Sequence, residues 1–380
     1  MRIAFFTDSY LPNVDGVVTS LLGYKKELEE MGHEVFVFCP GNKKQKEENK
    51  DDKVYYFTSA SFKPYPDYRV AVFPFFSAVK KVKEYNADII HSHGIATTGL
   101  AAIQCANKLK IPAIASFHTL APEGVHYLSK NQKIQDFFKS VAWKYLKWYY
   151  SNFKTVIIPS HYMKKILDEQ GISNTLINPT GIDFSRFNKP TDPKSIRKKY
   201  NIKNNPIILH VGRIALEKRL EILINSADNV LNIYPDAKFI IVGKGPAEEH
   251  YKQLIQSKGL SKNFIFTGYV AENELPDYYS AADVFVFPSD FDTQGLVILE
   301  SMSVGTPVVV KSNSAPSEFV KEGFNGYIFS DHFDLPGKII NAIKNKDKLR
   351  DNAISESKKY TIRKSSERLA EIYSSMISSP

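Results

Sequence analysis

Two acidic residues, Asp292 and Glu300, stand eight positions apart in the segment FDTQGLVILES, residues 291–301. A buried-strand pattern precedes them, and the apolar run after them predicts a helix that begins near Gly295 and Leu296. The unpaired N–H groups of a helix start favour a phosphate, and a carboxylate one to two turns further on can accept from the two hydroxyls of a ribose. The segment therefore predicts a nucleotide site, with Asp292 facing another part of the ligand. The alternative is an acidic residue at a helix start and one surface glutamate.

Two cations follow another predicted strand in the segment ILHVGRIALEKRLE. Arg213 comes directly after Gly212, and Lys218 lies five residues later, near the start of the next predicted helix. An arginine fork and a lysine point charge suit a diphosphate. The alternative is a pair of solvated surface cations.

The segment FIIVGKGPAEEH resembles a dinucleotide fingerprint, but Glu248 stands where the third glycine of G-x-G-x-x-G belongs. This departure disfavours a dehydrogenase. Gly243 and Gly245 still permit close approach of the backbone to a ligand. Motifs of P-loop nucleotidases, zinc proteases and serine hydrolases do not occur in the sequence.

The first half of the chain has weaker candidates. Asp15 and Gly16 fall between the first strand and a helix, where glycine would let a substrate approach the backbone, although an ordinary turn explains them equally. His118 ends another predicted strand, as either a site residue or a structural histidine. His91 and His93 share one strand face, and without a third ligand they do not predict a metal site.

A basic, aromatic helix is predicted over residues 133–150. Its predicted core face carries mainly apolar side chains, namely Ile134, Phe137, Phe138, Val141, Tyr145 and Trp148. The opposite face carries Lys139, Trp143, Lys147 and Tyr150, and lysines among aromatic rings fit the interface of an acidic membrane. The alternative is a core helix with an ordinary surface. Nucleic acid is the third interpretation, and no nucleic-acid-binding motif accompanies this helix.

Short runs rich in Ile, Val and Phe alternate with helical patterns throughout, six in each half of the chain, as in β-α units around parallel sheets. Pro and Gly punctuate the segment LINPTGIDFSRFNKPTDP, where we place a domain boundary near Gly181. The sequence predicts two doubly wound domains, residues 1–180 and 181–380. The ends of such strands are where ligands bind.

Composition agrees with a globular protein of this kind. The chain has 380 residues, a formal net charge of +9 and 43% hydrophobic residues. Ten lysines against two acidic residues lie between positions 101 and 165, which predicts an anionic partner for that segment. No apolar run is long enough to span a membrane, no signal peptide is recognised, and the expected location is the cytoplasm.

Taken in order, these segments resemble the retaining GT-B glycosyltransferases of family 4. The resemblance spans nearly the whole chain and rests on GVVTSL, SFHT, INPTGID, GRIALEK, VGKGP and DTQGLVILESMSVGTPVVV. The last run matches the E-x7-E motif of the family, with Asp292 in place of its first glutamate. TQGL, GVVTSL, and FHT followed by HYLSK are most similar to the subgroup that glucosylates diacylglycerol.

This resemblance implies roles for individual residues. Candidate catalytic residues are His118, Arg213, Lys218 and Asp292. Candidate donor-binding residues are Gly16, Gly243, Gly245, Gln294, Gly295, Leu296 and Glu300. Candidate acceptor or membrane residues are Asp15, Thr119, Tyr127, Lys139, Trp143 and Lys147. No metal or other cofactor is expected, because the family typically needs none. The last helix, about 361–380, is expected to pack on the N-terminal domain.

The implied activity is retaining transfer of a hexose, with UDP-glucose as the donor and a membrane lipid such as diacylglycerol or a glycolipid as the acceptor. The N-terminal domain would bind the acceptor and the C-terminal domain the nucleotide-sugar. The enzyme would sit peripherally on the inner face of the cell membrane. Alternatives are a GDP-mannose-dependent phosphatidylinositol-type mannosyltransferase, a catalytically silent nucleotide-sugar-binding or nucleic-acid-binding protein, and an epimerase of similar architecture.

Overall fold

The computed structural model describes residues 1–13, 15–62, 65–123, 131–187 and 191–378. The described chain divides into two compact units. Unit 1 holds Met1–Gly181 and the C-terminal segment that begins at Ile362, and unit 2 holds Ile182–Thr361.

Unit 1 is built on a sheet whose described strands run in the order β4-β3-β2-β1-β5-β6-β7-β8. All neighbours pair in parallel except β3 and β4, which are antiparallel. The strands are β1 Arg2–Phe6, β2 Glu34–Gly41, β3 Val54–Phe62, β4 Tyr65–Ala71, β5 Ile89–Ser92, β6 Ala113–Ser116, β7 Thr155–Ile158 and β8 Thr175–Ile177.

The helices of unit 1 are α1 Gly16–Glu30, α2 Lys43–Glu48, α3 Phe75–Glu84, α4 Thr97–Leu109, α5 Gln132–Tyr150, α6 His161–Glu169 and the C-terminal α14 Ile362–Ser378. Helix α14 packs on α1. A Cβ atom on Gly23 would lie 2.9 Å from the side chain of Ile362, and the Arg363 guanidinium lies 3.5 Å from the Glu27 carboxylate. Gly23 therefore allows the close approach of these two helices.

Unit 2 is built on a parallel sheet in the order β11-β10-β9-β12-β13-β14. Its strands are β9 Ile207–Val211, β10 Lys238–Val242, β11 Phe264–Gly268, β12 Val284–Phe287, β13 Val308–Lys311 and β14 Gly326–Phe329. Its helices are α7 Pro193–Lys199, α8 Leu220–Leu231, α9 Glu248–Ser257, α10 Leu275–Ala281, α11 Leu296–Ser303, α12 Leu335–Lys344 and α13 Lys346–Ser357. Buried apolar side chains cover both faces of this sheet.

The predicted fold class, two doubly wound parallel-sheet domains, is confirmed. Each of the six apolar runs predicted in each half of the chain coincides with a strand. Two strands of unit 1 were not predicted, and both are at sheet edges: β4 contains Pro66, and β8 has three residues that are all only partly buried. Pro66 in β4 and the partial burial of β8 explain why neither strand shows the buried apolar run that marks the other strands. Within the described part of the chain, no helix is both long and apolar enough to span a bilayer.

Candidate functional site

The loops after β9 and β12 bring two predicted site residues of unit 2 together. The Lys218 ammonium lies 2.5 Å from Oδ1 of Asp292, and the two side chains are only 16% and 20% exposed. Oδ2 of Asp292 is buried and has no hydrogen-bond partner among the described residues. Lys218 and Asp292 therefore form a largely buried ion pair, in which one carboxylate oxygen of Asp292 accepts no hydrogen bond from the described residues.

Lys218 also lies close to the start of α11. Its ammonium is 5.7 Å from the centroid of the Phe287 ring, and a Cβ on Gly295 would lie 3.6 Å from the same ring. Gly295 has φ 83° and directly precedes Leu296, the first residue of α11. The left-handed backbone is available to glycine without strain, so the chain turns sharply into the helix here. Phe287, which sequence reasoning did not select, thus joins the lysine and the helix start.

Arg213 is exposed in the loop after β9, directly following Gly212. Gln294 is buried beside the start of α11. The sequence alone did not show that Lys218 lies close to the segment before α11.

Glu300 is buried within α11, contrary to the alternative of a surface glutamate. The Tyr279 hydroxyl donates to its Oε2 at 2.8 Å. Burial raises the pKa of the Glu300 carboxyl, and the positive charge of Arg186 opposes that shift. Tyr279 and Arg186 carry no motif in the sequence and were missed. They come near Glu300 only through packing of α10 and the turn at Phe184–Arg186.

The two glycines of the VGKGP segment have a structural role within the chain. Gly243 has φ 130°, and a Cβ on it would lie 1.9 Å from the carbonyl oxygen of Gly212. A Cβ on Gly245 would lie 2.1 Å from the carbonyl oxygen of Ile214. These glycines therefore allow the loops after β9 and β10 to lie backbone to backbone. Their predicted contact with a ligand stays a prediction.

In unit 1, Asp15 caps α1 by accepting from the backbone N–H of Val18 at 2.9 Å, and it also accepts from the Ser9 hydroxyl at 3.1 Å. Gly16 is the first residue of α1, and apart from its chain neighbours and its own helix no described atom lies within 4 Å of where its Cβ would be. Open space beside a helix start is compatible with the predicted approach of a substrate.

Three histidines cluster at the ends of β5 and β6. Nδ1 of His93 lies 2.9 Å from Nε2 of His118, and the ring centroids of His91 and His93 are 4.0 Å apart. Burial lowers the pKa of His118 to about 4, against the opposing charge of Asp15. His118 is therefore a neutral ring at physiological pH. Thr119, the next residue, is exposed.

Helix α5 requires a correction. The face predicted to lie in the core is exposed: Phe137 is 65% and Trp148 is 52% exposed, and Ile134, Phe138 and Val141 are exposed as well. Tyr150, predicted on the outer face, is buried together with Leu146 and Tyr149. The spacing identified an apolar stripe correctly but assigned it to the wrong surroundings, because periodicity does not reveal what a stripe faces.

The lysine face of α5 lines a groove of about 500 Å³ with Lys139, Trp143, Lys144, Lys147, Asp136, Ser140 and Gln170. Lys139 pairs with Glu123 at 2.5 Å. Tyr127 lies outside the described residues. Across the part of the chain that the structure describes, no group of three or more His, Cys, Asp or Glu side chains is arranged to hold a metal ion.

Comparison with known proteins decides the family. The family model described as "Glycosyltransferase Family 4" matches residues 14–186, and "Glycosyl transferases group 1" matches residues 192–360. The "Alpha-monoglucosyldiacylglycerol synthase" of Streptococcus pneumoniae is 32% identical over 94% of this chain and 81% of its own length. The chain belongs to glycosyltransferase family 4. This family 4 glycosyltransferase is therefore an enzyme, and the predicted hexosyltransferase class is confirmed.

Other relatives and structures agree. An "Alpha-monoglucosyldiacylglycerol synthase" of Acholeplasma laidlawii is 31% identical over 91% of this chain and 89% of its own. A "GDP-mannose-dependent alpha-mannosyltransferase" of Corynebacterium glutamicum is 29% identical over 86% and 76%. Sucrose-phosphate synthase from Thermosynechococcus elongatus superposes with TM-score 0.79 at 19% identity over all of both chains. HepE of Anabaena, in complex with UDP-glucose, gives TM-score 0.77 at 21% identity over 99% and 100%. The GT-B fold is thereby confirmed.

Proposed function

We propose that this family 4 glycosyltransferase moves glucose from UDP-glucose onto a membrane lipid, such as diacylglycerol or a glycolipid, with retention of the anomeric configuration. Two relatives named alpha-monoglucosyldiacylglycerol synthase, each at least 31% identical, support this substrate pair. A structural neighbour holding UDP-glucose supports the donor class.

The observation that carries the proposal is the gathering of Lys218, Asp292 and the start of α11 around Phe287. A diphosphate needs cations and N–H donors in one place, and a sugar needs a carboxylate beside them. Lys218 and the N–H groups at Gly295–Leu296 would bind the diphosphate together with Arg213, while Asp292 would accept from a sugar hydroxyl.

The reaction breaks the bond between the anomeric carbon and the diphosphate oxygen, and its electron pair stays on the leaving UDP. The acceptor hydroxyl oxygen bonds to the anomeric carbon from the same face, and its proton passes to the departing phosphate. Negative charge therefore grows on the diphosphate in the transition state. Fixed cations such as Arg213 and Lys218 stabilise it more than they stabilise the bound donor.

The remaining predicted residues take supporting roles in this proposal. Glu300, held by Tyr279, would accept from the ribose hydroxyls, and the buried Gln294 would complete the segment that faces the nucleotide. His118 and the backbone at Gly16 would lie against the transferred sugar of the donor, and the exposed Thr119 would lie beside the acceptor.

A second candidate donor is GDP-mannose, because a relative of 29% identity is named for it. The deciding experiment offers the purified enzyme a panel of UDP- and GDP-sugars with dispersed diacylglycerol, glucosyldiacylglycerol and phosphatidylinositol, and identifies the products by mass. We expect a hexose added from UDP-glucose to one of the first two acceptors. Product only from GDP-mannose and phosphatidylinositol would replace the proposal by this alternative, and no lipid product from any pair would refute it.

Helix α5 supports an acidic membrane surface as the partner of unit 1. Its exposed stripe, with Phe137, Val141 and Trp148, would enter the lipid. Lys144 and Lys147 are exposed beside that stripe at headgroup level. We propose that the enzyme binds peripherally to the inner face of the cell membrane and that the contact is this apolar stripe, which the sequence pattern had assigned to the core.

A second exposed apolar segment lies nearby in unit 1. Phe73 and Phe76, at the start of α3, are 85% and 84% exposed. The hydroxyl of Thr97 donates to the carbonyl of Ala71, and the hydroxyl of Tyr145 on α5 donates to the carbonyl of Ile95. Both apolar segments thus flank the loop before α4, which supports one membrane-facing surface.

Vesicle flotation tests this surface with two matched triple variants. Replacing Phe137, Val141 and Trp148 by serine should abolish binding to vesicles of phosphatidylglycerol and phosphatidylcholine. Replacing Lys139, Trp143 and Lys147 by glutamine should weaken binding to these vesicles and reduce its dependence on salt. Circular dichroism checks the fold of each variant. Unchanged flotation of the first variant would refute the stripe as the contact.

A further inference from the structure

His93 and His118 form a direct hydrogen bond between two ring nitrogens, at 2.9 Å, at the carboxyl end of the unit 1 sheet. His118 follows β6 and His93 follows β5, and these strands pair in parallel register. Neither the family resemblance nor the spacing of the sequence gave His93 a role. The bond makes His93 the described neighbour best placed to set the orientation of His118.

The ring of His93 is itself held in place. It is 5% exposed and packs edge-on against Phe5, with ring centroids 4.7 Å apart. It also packs against His91, whose Nδ1 lies 2.6 Å from the Tyr373 hydroxyl and whose Nε2 lies 2.7 Å from the Ser116 hydroxyl. A ring enclosed in this way can fix the angle of a partner that is only partly buried.

The bond also decides where protons lie. Burial holds the pKa of both His93 and His118 below the ordinary value, so both rings are neutral and each carries one N–H. Nε2 of His93 is buried and has no hydrogen-bond partner among the described residues. Buried N–H groups without an acceptor are rarer in proteins than under-used acceptors. The proton of His93 therefore belongs on Nδ1, which faces His118.

His210 in unit 2 provides an internal parallel. Its Nδ1 lies 3.0 Å from the carbonyl oxygen of Val286 and must carry the proton, since a carbonyl only accepts. Its Nε2 is then a buried lone pair that has no partner among the described residues, as proposed for His93. The chain thus already contains one buried histidine in the same tautomer.

We propose that His93 is a positioning residue: it donates its Nδ1–H to Nε2 of His118, which fixes His118 in the tautomer that carries its proton on Nδ1. In that tautomer the proton of His118 is on Nδ1, and from there it would donate to a hydroxyl of the transferred sugar. The hydrogen bond stands on geometry alone, while its catalytic consequence rests on the proposed role of His118.

Three replacements at one position separate the hydrogen bond from the shape of the ring. The amide nitrogen of His93→Asn can occupy the place of Nδ1 and donate to His118. The amide of His93→Gln reaches the place of Nε2 instead, and His93→Leu donates nothing. Melting temperatures and circular dichroism establish that each variant folds.

The first readout is the tautomer, by ¹⁵N NMR of the histidine side chains in the full-length enzyme at neutral pH. We expect His118 to be protonated on Nδ1 in the wild type and in His93→Asn, and to become a tautomer mixture in His93→Leu. A wild-type His118 protonated on Nε2 would overturn the proposal, whatever the activities.

The second readout is the split between kcat and KM with UDP-glucose and dispersed diacylglycerol. We expect His93→Gln and His93→Leu to lose roughly ten- to a hundred-fold in kcat with little change in the donor KM, and His93→Asn to recover most of it. Equal losses in folded Asn and Leu variants would overturn the positioning role. If His118→Gln itself keeps full activity, the proposed use of His118 fails, and the NMR result still decides the hydrogen bond.

Discussion

The two units share an architecture, but the loops after their strands, where the predicted site residues lie, differ in charge. Unit 2 holds a lysine and an aspartate as a largely buried pair beside a helix start, with a buried glutamate nearby. Unit 1 holds three neutral histidines and a helix whose apolar stripe is exposed. Fixed charges suit a diphosphate, whereas neutral rings and an apolar surface suit a sugar hydroxyl and a lipid. The same sheet topology can therefore serve two chemistries, because the chemistry lies in the loops.

The largest expected effect concerns the charged edge. Arg213→Ala and Lys218→Ala should each lower turnover by about 10²–10³, because each removes a cation from the developing charge of the diphosphate. Steady-state kinetics with UDP-glucose measures this. The matched control is Arg219→Ala, an adjacent exposed cation paired with Glu221 at 2.8 Å. Near-normal turnover of both site variants would contradict the proposal that the charged residues of unit 2 bind the diphosphate.

Glycine-to-alanine changes compare the backbones of the two units. Gly243→Ala in unit 2 should lower the free energy of unfolding by about 3 kcal/mol, because its Cβ would overlap the Gly212 carbonyl and its φ is 130°. The Cβ of Gly16→Ala in unit 1 would meet no described atom within 4 Å beyond its chain neighbours and its own helix, so the free energy of unfolding should be unchanged or slightly raised. Hydrogen exchange of the β9 and β1 amides measures each unit. A loss of activity in a stable Gly16→Ala enzyme would support approach of the donor to that backbone.

The histidine cluster predicts how unit 1 responds to acid. Burial holds the pKa of His91, His93 and His118 below the value of about 6.5 that they regain on unfolding. Below pH 6.5 the unfolded state therefore binds protons that the folded state does not, and stability falls as the pH drops toward 4. The slope is about 1.4 kcal/mol per pH unit for each histidine.

Tryptophan fluorescence can follow this transition in unit 1 alone, because both tryptophans, Trp143 and Trp148, lie on α5. The free energy of unfolding, measured with urea, should fall less between pH 7 and pH 5 for His93→Asn than for the wild type. The difference should be about the contribution of one histidine. An identical pH dependence in both proteins would show that His93 is protonated in the folded state.

The smallest expected effect concerns the half-exposed pair of unit 1, Lys139 with Glu123, whose side chains are 42% and 39% exposed. Glu123→Gln should change the free energy of unfolding by less than about 1 kcal/mol, because water and salt screen such pairs. It should also strengthen binding to acidic vesicles modestly, since Lys139 loses its acidic partner. Weaker flotation of Glu123→Gln would exclude this lysine from the membrane contact.

Much of this molecule could be read from local sequence. The apolar runs specified twelve of the described strands, and the cap residues around Asp15 and Gly295 marked the starts of α1 and α11. The order of these segments identified the family before any contact was known. These features are local, since a few neighbouring residues determine each of them.

Features that join distant segments were not readable. Lys218 and Asp292 are separated by 74 positions in the sequence, His93 and His118 by 25, and Tyr279 and Glu300 by 21. Only the fold brings the members of each pair into contact. The face that α5 exposes was predicted wrongly for the same reason. An amphipathic pattern reports that a helix has two sides, but the surroundings of each side are set by other parts of the chain.

The sequence by itself determined where strands and helices form, because propensity and hydrophobic period act over a few residues. Tertiary structure alone decided which charged residues form a buried pair, which histidines are hydrogen-bonded to each other, and which side of α5 faces outward. Those outcomes depend on distances between residues far apart in the chain, and only packing sets such distances.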